Sequence, residues 1–203
     1  MSKSGRYGKY GEKKRTDRLR TARTAHVSVL RKKGHKTGDA SPVKQTRSRK
    51  APITIRPAEA SDADFIRTLS RKAFAQYGPY EDLLPSWFLS GIGVTLVAFM
   101  GKRVAGYAML ERIQGVTTSP RVSELLAIAV EPSARNHGVG GRLMAEIMKK
   151  SRELLVERLI LHTAVDNLPS QALFRKHGLT PCGVKTAFYP EGQSALMMQK
   201  DIS

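Results

Sequence analysis

Apolar positions after residue 50 follow two periods, which predict an alternation of strands and helices. Short apolar or alternating runs predict seven strands, at 53–56, 94–100, 104–111, 122–130, 158–165, 184–189 and 195–201. Helical spacing predicts a helix that starts at a capping box of Ser61 and Asp64, a long helix over 138–155 and a short one over 170–177. A short aromatic segment covers 80–89. This order of elements predicts an α/β sandwich around a mixed sheet.

Composition divides the chain near residue 50. Residues 1–50 carry 17 basic and 3 acidic side chains, a net charge of +14, whereas residues 51–203 carry 18 and 14. Only 11 of the first 50 residues are apolar, against 71 of the following 153. The contrast predicts a basic, largely disordered extension over 1–50 and one folded domain over 51–203. The clustered Lys and Arg favour binding of RNA, DNA or the ribosome, and a merely solvated tail is the alternative.

Several classes of protein are excluded by what the sequence lacks. The longest apolar run, 92–100, is far shorter than the roughly 20 residues of a membrane span. The first residues lack the apolar segment of a secretory signal. A single cysteine, Cys182, cannot form an internal disulfide, so we expect a cytoplasmic protein. The five histidines show no metal-binding spacing, so we predict no metal site.

A glycine-rich loop precedes the long predicted helix and reads Arg135-Asn136-His137-Gly138-Val139-Gly140-Gly141. Its glycines let an anion approach bare N–H groups, and the helix behind them adds about half a positive charge. Arg135 and Arg142 add full charges, so the loop predicts a pyrophosphate site. The third glycine of a Rossmann fingerprint would fall on Leu143, and no P-loop Gly-Lys pair follows. A glycine-rich helix start without a ligand is the alternative.

Further motifs surround this loop. They are Ile128-Ala129-Val130-x-Pro followed by R-x-x-G-x-G, then Asn167, then Ala172-Leu173-Phe174-x-x-x-Gly178-Leu179. Together they resemble the acetyl-CoA-binding core of the GNAT superfamily of N-acetyltransferases. The resemblance covers 53–202 in element order, and the end of the chain, 188–198, looks like the ribosomal-protein-alanine N-acetyltransferases. It implies a GNAT-like mixed, mostly antiparallel sheet flanked by helices, to which the basic N-terminal extension is an addition.

The resemblance also implies acetyl-CoA as co-substrate and assigns residues to it. Backbone groups of Ile128 and Val130 would pair with the pantetheine arm as a short added strand would. Asn167 would hydrogen-bond the cofactor near its reactive end. The pyrophosphate would be held by the whole loop, Arg135, Asn136, His137, Gly138, Val139, Gly140 and Gly141.

Acetyl transfer to an amine requires a neutral nucleophile and therefore a base. The resemblance implies two positions for it, His162 and Glu124, and both remain open. Histidine has the better ordinary pKa, about 6.5 against about 4.3, whereas a glutamate can act through water. The family's usual general acid, a tyrosine, is replaced by Phe174, which cannot donate a proton. Tyr189 or water is the substitute.

The function that these features predict is an acetyl-CoA-dependent N-acetyltransferase in which a primary amine attacks directly within a ternary complex. The acceptor is a protein N-terminus, a lysine, a polyamine or an antibiotic, and the basic extension favours a protein. We expect the acceptor site between 80–87 and 112–120, where Glu81 and Asp82 could attract a cationic amine. The alternative is a nucleic-acid or ribosome-associated protein whose GNAT domain binds acyl-CoA without turnover.

Overall fold

A computed structural model describes residues 51–111 and 121–202, so the basic extension and the predicted acceptor loop at 112–120 lie outside the described residues. The strands are β1 (Ile53–Pro57), β2 (Gly93–Met100), β3 (Arg103–Glu111), β4 (Val122–Val130), β5 (Arg158–Ala164), β6 (Thr180–Lys185) and β7 (Ala195–Asp201). The helices are α1 (Ala63–Phe74), α2 (Tyr80–Leu89), α3 (Val139–Glu153) and α4 (Leu168–Lys176). Two 3-10 turns, Ala60–Asp62 and Pro132–Ala134, precede α1 and α3.

The strands form one sheet in the order β1-β2-β3-β4-β5-β7-β6. All neighbouring pairs are antiparallel except β4 and β5, which run parallel and are connected through α3. A parallel pair requires such a crossover, whereas an antiparallel pair such as β2 and β3 can be joined by a tight turn. The prediction of a mixed, mostly antiparallel sheet flanked by helices is confirmed.

Each face of the sheet has its own apolar core. Alternate side chains of a strand point to opposite faces, and β3 shows this clearly. Ala108 and Leu110 pack in the cluster that includes Leu143 and Ile147 of α3. Tyr107 and Met109 pack in the other cluster, with Ile66 of α1. The two layers of helices therefore hold the central strands in place from both sides.

The start of α1 differs from the prediction. The predicted capping box of Ser61 and Asp64 is wrong, because Ser61 lies inside the preceding 3-10 turn. The carboxylate of Asp62 instead accepts the backbone N–H of Glu59 at 2.8 Å. It also receives two hydrogen bonds from Arg56, at 2.7 and 3.1 Å. The cap of this turn is Glu59, two residues before the predicted Ser61. The aromatic segment that follows α1 is the helix α2.

Asp62 supplies a test of this local structure. Burial alone would raise its pKa, but the hydrogen bonds from Arg56 and from the Glu59 N–H outweigh burial and lower the pKa. The stability that the Asp62 carboxylate contributes is therefore fully present above its pKa in the unfolded chain, about 3.9. It is lost as the pH falls through the lower pKa of the folded protein. We expect Asp62→Asn to lower the free energy of unfolding by about 1–3 kcal/mol at pH 7.

Urea unfolding from pH 7 to pH 2 measures this, with the exposed neighbour Asp64→Asn as the matched control. The cost of Asp62→Asn should shrink as the pH falls, because protonated aspartic acid and asparagine are alike in charge. A cost that is independent of pH would contradict the assignment of the stability to the Asp62 carboxylate.

The sixth strand also differs from the prediction. The predicted strand over 184–189 is wrong, since β6 spans Thr180–Lys185 and the chain then turns. Ala187 has a left-handed φ of 49°, which ends the extended conformation. Pro181 is tolerated early in β6 because β6 is the last strand of the sheet. Phe188 and Tyr189 therefore lie in the turn between β6 and β7, and not on a strand.

Candidate active site

The sheet opens between its two parallel strands. β4 and β5 pair only over Val122–Leu125 and Arg158–Leu161. Beyond this point β4 continues beside β3, and β5 continues beside β7. The register of β4 against β3 shifts by one residue between Met109 and Leu110, which is a β-bulge. A bulge bends and twists its strand. The bulge between β3 and β4 therefore accounts for the end of the pairing between β4 and β5.

Backbone groups of β4 face this opening. The N–H of Glu131 donates to the carbonyl of Ala105 on β3 at 2.8 Å. Because N–H and C=O groups alternate between the two edges of a strand, Ile128 and Val130 present theirs to the other edge, toward β5. The opening therefore offers the polar groups of one strand to an extended chain. This is where the sequence analysis expected the pantetheine arm.

The glycine-rich loop lies at the end of β4 and forms the N-terminus of α3. Asn136 and Gly138 have positive φ values of 61° and 91°, which turn the chain sharply. The first intrahelical hydrogen bond runs from the N–H of Arg142 to the carbonyl of Gly138, and no side chain of Gly138 can cap the helix. The N–H groups at the start of the helix therefore point outward. This geometry is that of an anion cradle.

Two glycines of the cradle differ in the space around them. A Cβ on Gly140 would lie 3.3 Å from Leu173 Cδ2 of α4, so Gly140 lets α3 and α4 approach closely. A Cβ on Gly141 would meet only His177 Nε2, at 3.9 Å. Gly140 is thus required for packing, whereas Gly141 leaves room beside the cradle. Substitution of Gly140 would disturb the fold together with any ligand.

Cationic and polar side chains surround the cradle. Arg135 donates from Nε to the carbonyl of Val130 at 3.3 Å, and its own carbonyl is 2.7 Å from His137 Nδ1. Asn167 lies at the carboxyl end of β5, which is the same edge of the sheet because β4 and β5 are parallel. Its Oδ1 accepts the N–H of Ser170 at 3.2 Å and caps α4. The sequence-predicted cofactor residues therefore gather at one edge of the sheet.

Glu124 and His162, which the sequence left as alternatives, form a pair. His162 Nδ1 is 2.6 Å from Glu124 Oε1. Glu124 lies in the last paired stretch of β4, and His162 is the first residue of β5 beyond it. The His162 side chain is 6% exposed and its Nε2 is buried without a partner, whereas the Glu124 side chain is 28% exposed. The carboxylate is therefore the part of the Glu124–His162 pair that solvent reaches.

Aromatic rings enclose the Glu124–His162 pair. The ring of Phe188 stacks on His162 with 4.4 Å between centroids, and the ring of Tyr189 lies 4.8 Å from Tyr77 and 6.4 Å from Tyr80. Burial raises the pKa of Tyr80, and the charge of Glu124 raises it further. Burial also raises the pKa of Tyr189, with smaller contributions from its neighbours, among them Glu124. Both hydroxyl groups therefore keep their protons well above neutral pH.

A second carboxylate lies beside Glu124. Burial raises the pKa of Glu111, and the charge of Glu124 raises it further, although a hydrogen bond with the Glu124 backbone opposes the shift. Sequence reasoning did not single out Glu111 or Phe188. The alternation along β3 could have suggested Glu111, because it is a charged residue at the end of an otherwise apolar strand. No local pattern placed Phe188 over His162.

Other predicted features have structural roles. Phe174 is buried in the core on the α3 face of the sheet, which accounts for an apolar ring there. Asp82 forms an ion pair with Arg67 and is therefore not a free charge for an amine. No group of His, Cys, Asp and Glu in the described part of the chain could hold a metal ion. Among the same residues, no helix is long and apolar enough to span a membrane.

Comparison with known proteins defines the class that this fold and site belong to. The profile of the acetyltransferase (GNAT) family matches residues 63–179, more than half of the chain. The chain therefore belongs to the acetyltransferase (GNAT) family. The predictions of the family and of an acyltransferase enzyme are confirmed, and acetyl-CoA is its acetyl donor.

Two curated relatives illustrate the match. The N-alpha-acetyltransferase RimI of Mycobacterium tuberculosis is 27% identical over 155 residues, which are 74% of this chain and 93% of the relative. The N-alpha-acetyltransferase of Sulfolobus acidocaldarius is 24% identical over 159 residues, 74% of this chain and 93% of the relative. Both alignments span nearly all of the relative.

Solved structures share the fold. A ribosomal-protein-alanine N-acetyltransferase from Brucella melitensis has a TM-score of 0.61 and 26% identity, covering 73% of this chain and 99% of that one. The Salmonella typhimurium protein yncA, solved with its cofactor acetyl-CoA, has a TM-score of 0.63 and 18% identity. That match covers 74% of this chain and 94% of yncA.

The residues present fit acetyl-CoA. The outward N–H groups of the cradle and the positive charge of Arg135 suit a pyrophosphate. The edge of β4 that faces β5 beyond Leu125 suits an amide-containing chain.

Proposed function

We propose that the protein is an N-acetyltransferase in which a primary amine attacks directly within a ternary complex with acetyl-CoA. The observation that carries this proposal is the carboxylate of Glu124, which is partly exposed, bonded to His162 and located where β4 and β5 separate. A base at that point lies beside the opening suited to the acetyl donor. An amine that entered this opening would contact the Glu124 carboxylate.

The cofactor would be held by the main chain more than by side chains. In this proposal Ile128 and Val130 pair with the pantetheine arm, and the loop 135–141 binds the pyrophosphate. Asn167 keeps its Nδ2 group for the cofactor, because Oδ1 is used in capping α4. The bound cofactor supplies an acetyl group that is activated as a thioester.

The Glu124–His162 pair would remove the proton of the amine. An ammonium has no lone pair and cannot attack, so a base must hold its proton. Glu124 is the acceptor of that proton in this proposal, since its side chain is partly exposed and the Nε2 atom of His162 is buried. His162 positions the carboxylate through the hydrogen bond between Nδ1 and Oε1.

Tyr189 is our candidate for a proton donor in place of the tyrosine that Phe174 replaces. Its hydroxyl is protonated at neutral pH, and the burial that raises its pKa makes it a weaker acid than an exposed tyrosine. We expect Tyr189→Phe, which keeps the ring against Tyr77, to lower kcat by up to roughly 10²-fold. Steady-state kinetics at saturating acetyl-CoA measures this effect, and Tyr77→Phe serves as the matched control. Equal kcat values for the two variants would remove Tyr189 from the mechanism.

A protein N-terminus is the acceptor that we propose. Its support is the likeness to two N-alpha-acetyltransferases and to a ribosomal-protein-alanine N-acetyltransferase. The test offers peptides with a free α-amine, the same peptides with a blocked α-amine and an internal lysine, and a polyamine. Mass spectrometry should find the acetyl group on the α-amine. Acetylation of the lysine or polyamine alone would refute this acceptor.

Residues 1–50 suggest a second property, carried by their net charge of +14. We propose that the protein is cytoplasmic and that residues 1–50 bring it to RNA, DNA or the ribosome. The full chain should bind RNA with an affinity that falls steeply with salt, whereas a 51–203 truncation should lose that binding and keep peptide acetylation. RNA binding that survives the truncation would contradict the role of residues 1–50. Nothing supports the alternative of an inactive domain.

A further inference from the structure

Phe188 lies in the turn between β6 and β7 and covers the imidazole of His162. The two rings are nearly parallel, with 14° between their planes and 4.4 Å between centroids. The Phe188 residue as a whole is 38% exposed, whereas the His162 side chain is 6% exposed. The more exposed ring thus shields the more buried one. Glu124 holds the imidazole at one edge, and Phe188 holds it at one face.

The turn that carries Phe188 is fixed to the other side of the site. The carbonyl of Gln193 accepts the N–H groups of Phe188 and Tyr189, at 2.9 and 3.1 Å. The Nε2 group of Gln193 donates to the carbonyl of Gln76 at 2.6 Å, beyond the end of α1. Pro190 packs on Gly78 so closely that a Cβ there would lie 2.8 Å from Pro190 Cγ. The segment between α1 and α2 therefore sets the place of the Phe188 ring.

We propose that Phe188 is a positioning residue, which keeps the His162 imidazole in the orientation that bonds Glu124 and shields that hydrogen bond from water. Rotation of the imidazole about its Cβ–Cγ bond would move Nδ1 away from the carboxylate, and a parallel ring at 4.4 Å leaves no room for it. The kinetic part of this inference rests on the proposed function. The shielding of the hydrogen bond does not.

The test compares Phe188→Ala, Phe188→Leu and Phe188→Tyr in the full chain. Nitrogen-15 NMR of the histidine ring reports the His162 Nδ1–H and its rate of exchange with water. We expect this exchange to be about tenfold faster in Phe188→Ala, because the local fluctuation that exposes the His162 Nδ1–H to water then costs less free energy. Phe188→Tyr should restore the slow exchange, and Phe188→Leu, which fills volume without a flat face, should fall between them.

Kinetics provides the second readout. In Phe188→Ala we expect kcat to fall about 10- to 100-fold, while the Kd of acetyl-CoA stays unchanged, because the carboxylate is misplaced and the cofactor site is not. Val184→Ala is the matched control, since Val184 is 59% exposed on the neighbouring strand. Gln193→Leu keeps the Phe188 ring but removes the bond to Gln76, and it should shift both readouts in the same direction.

Unchanged Nδ1–H exchange in folded Phe188→Ala would overturn the inference. If Phe188→Ala collapses, Gln193→Leu and Phe188→Leu decide the matter by the same exchange measurement. A different set of results would show that Glu124 is not the base. Glu124→Gln would then keep its kcat, while Phe188→Ala would still speed the exchange of the His162 Nδ1–H.

Discussion

Glu124→Gln is expected to lower kcat by roughly 10²–10⁴-fold while acetyl-CoA binding stays as in the wild type. Glutamine keeps the shape of the side chain, and its amide oxygen can still accept the Nδ1–H of His162. It cannot hold the proton of the amine, so the variant removes the base without emptying the site. Steady-state kinetics with a saturating peptide, together with isothermal titration of acetyl-CoA, measures both quantities.

Two further variants test whether the effect is specific to Glu124. Glu111→Gln changes the neighbouring carboxylate at the end of β3 while the hydrogen bond between Glu124 and His162 stays, and it should cost much less. His162→Gln removes the positioning imidazole and should cost less than Glu124→Gln. The reverse order, with His162→Gln the more damaging, would transfer the role of base to His162.

Gly141→Asp is expected to weaken acetyl-CoA binding by about tenfold or more, because it places a negative charge where the pyrophosphate would lie. The substitution should leave the fold intact. A Cβ at Gly141 meets only His177 Nε2 at 3.9 Å, and an acidic residue in the first turn favours α3 through the helix dipole. Isothermal titration measures the change in Kd.

Gly141→Asn is the matched control, with the same shape and no charge. A pyrophosphate site predicts that Asp weakens binding far more than Asn, and that added salt narrows the difference. Equal binding by the two variants would show that no anion lies at this helix terminus. Gly140 is unsuitable for the same experiment, since its missing side chain lets Leu173 of α4 pack against α3.

Much of the proposed cofactor region could be predicted from the sequence, because its signals are local. The apolar run within 122–130 predicted β4 with the bounds that it has, and the glycines of 135–141 predicted the turn into α3. Two predictions about local structure were wrong for a shared reason. The start of α1 depends on a side-chain contact with Arg56 of β1, six residues before Asp62, and the bounds of β6 depend on its pairing with β7.

The order of the elements, the family and the glycine-rich turn into α3 were thus determined by the sequence alone, since glycine positions and apolar periods act through neighbours along the chain. Only the tertiary structure decided that Glu124 and His162, 38 residues apart, are one hydrogen-bonded pair, and that Phe188 stacks on it. The parallel register of β4 and β5 sets that distance, and the turn after β6 sets that stack. Neither the register of two distant strands nor the docking of a turn is encoded in a local pattern, because both depend on the packing of the whole sheet.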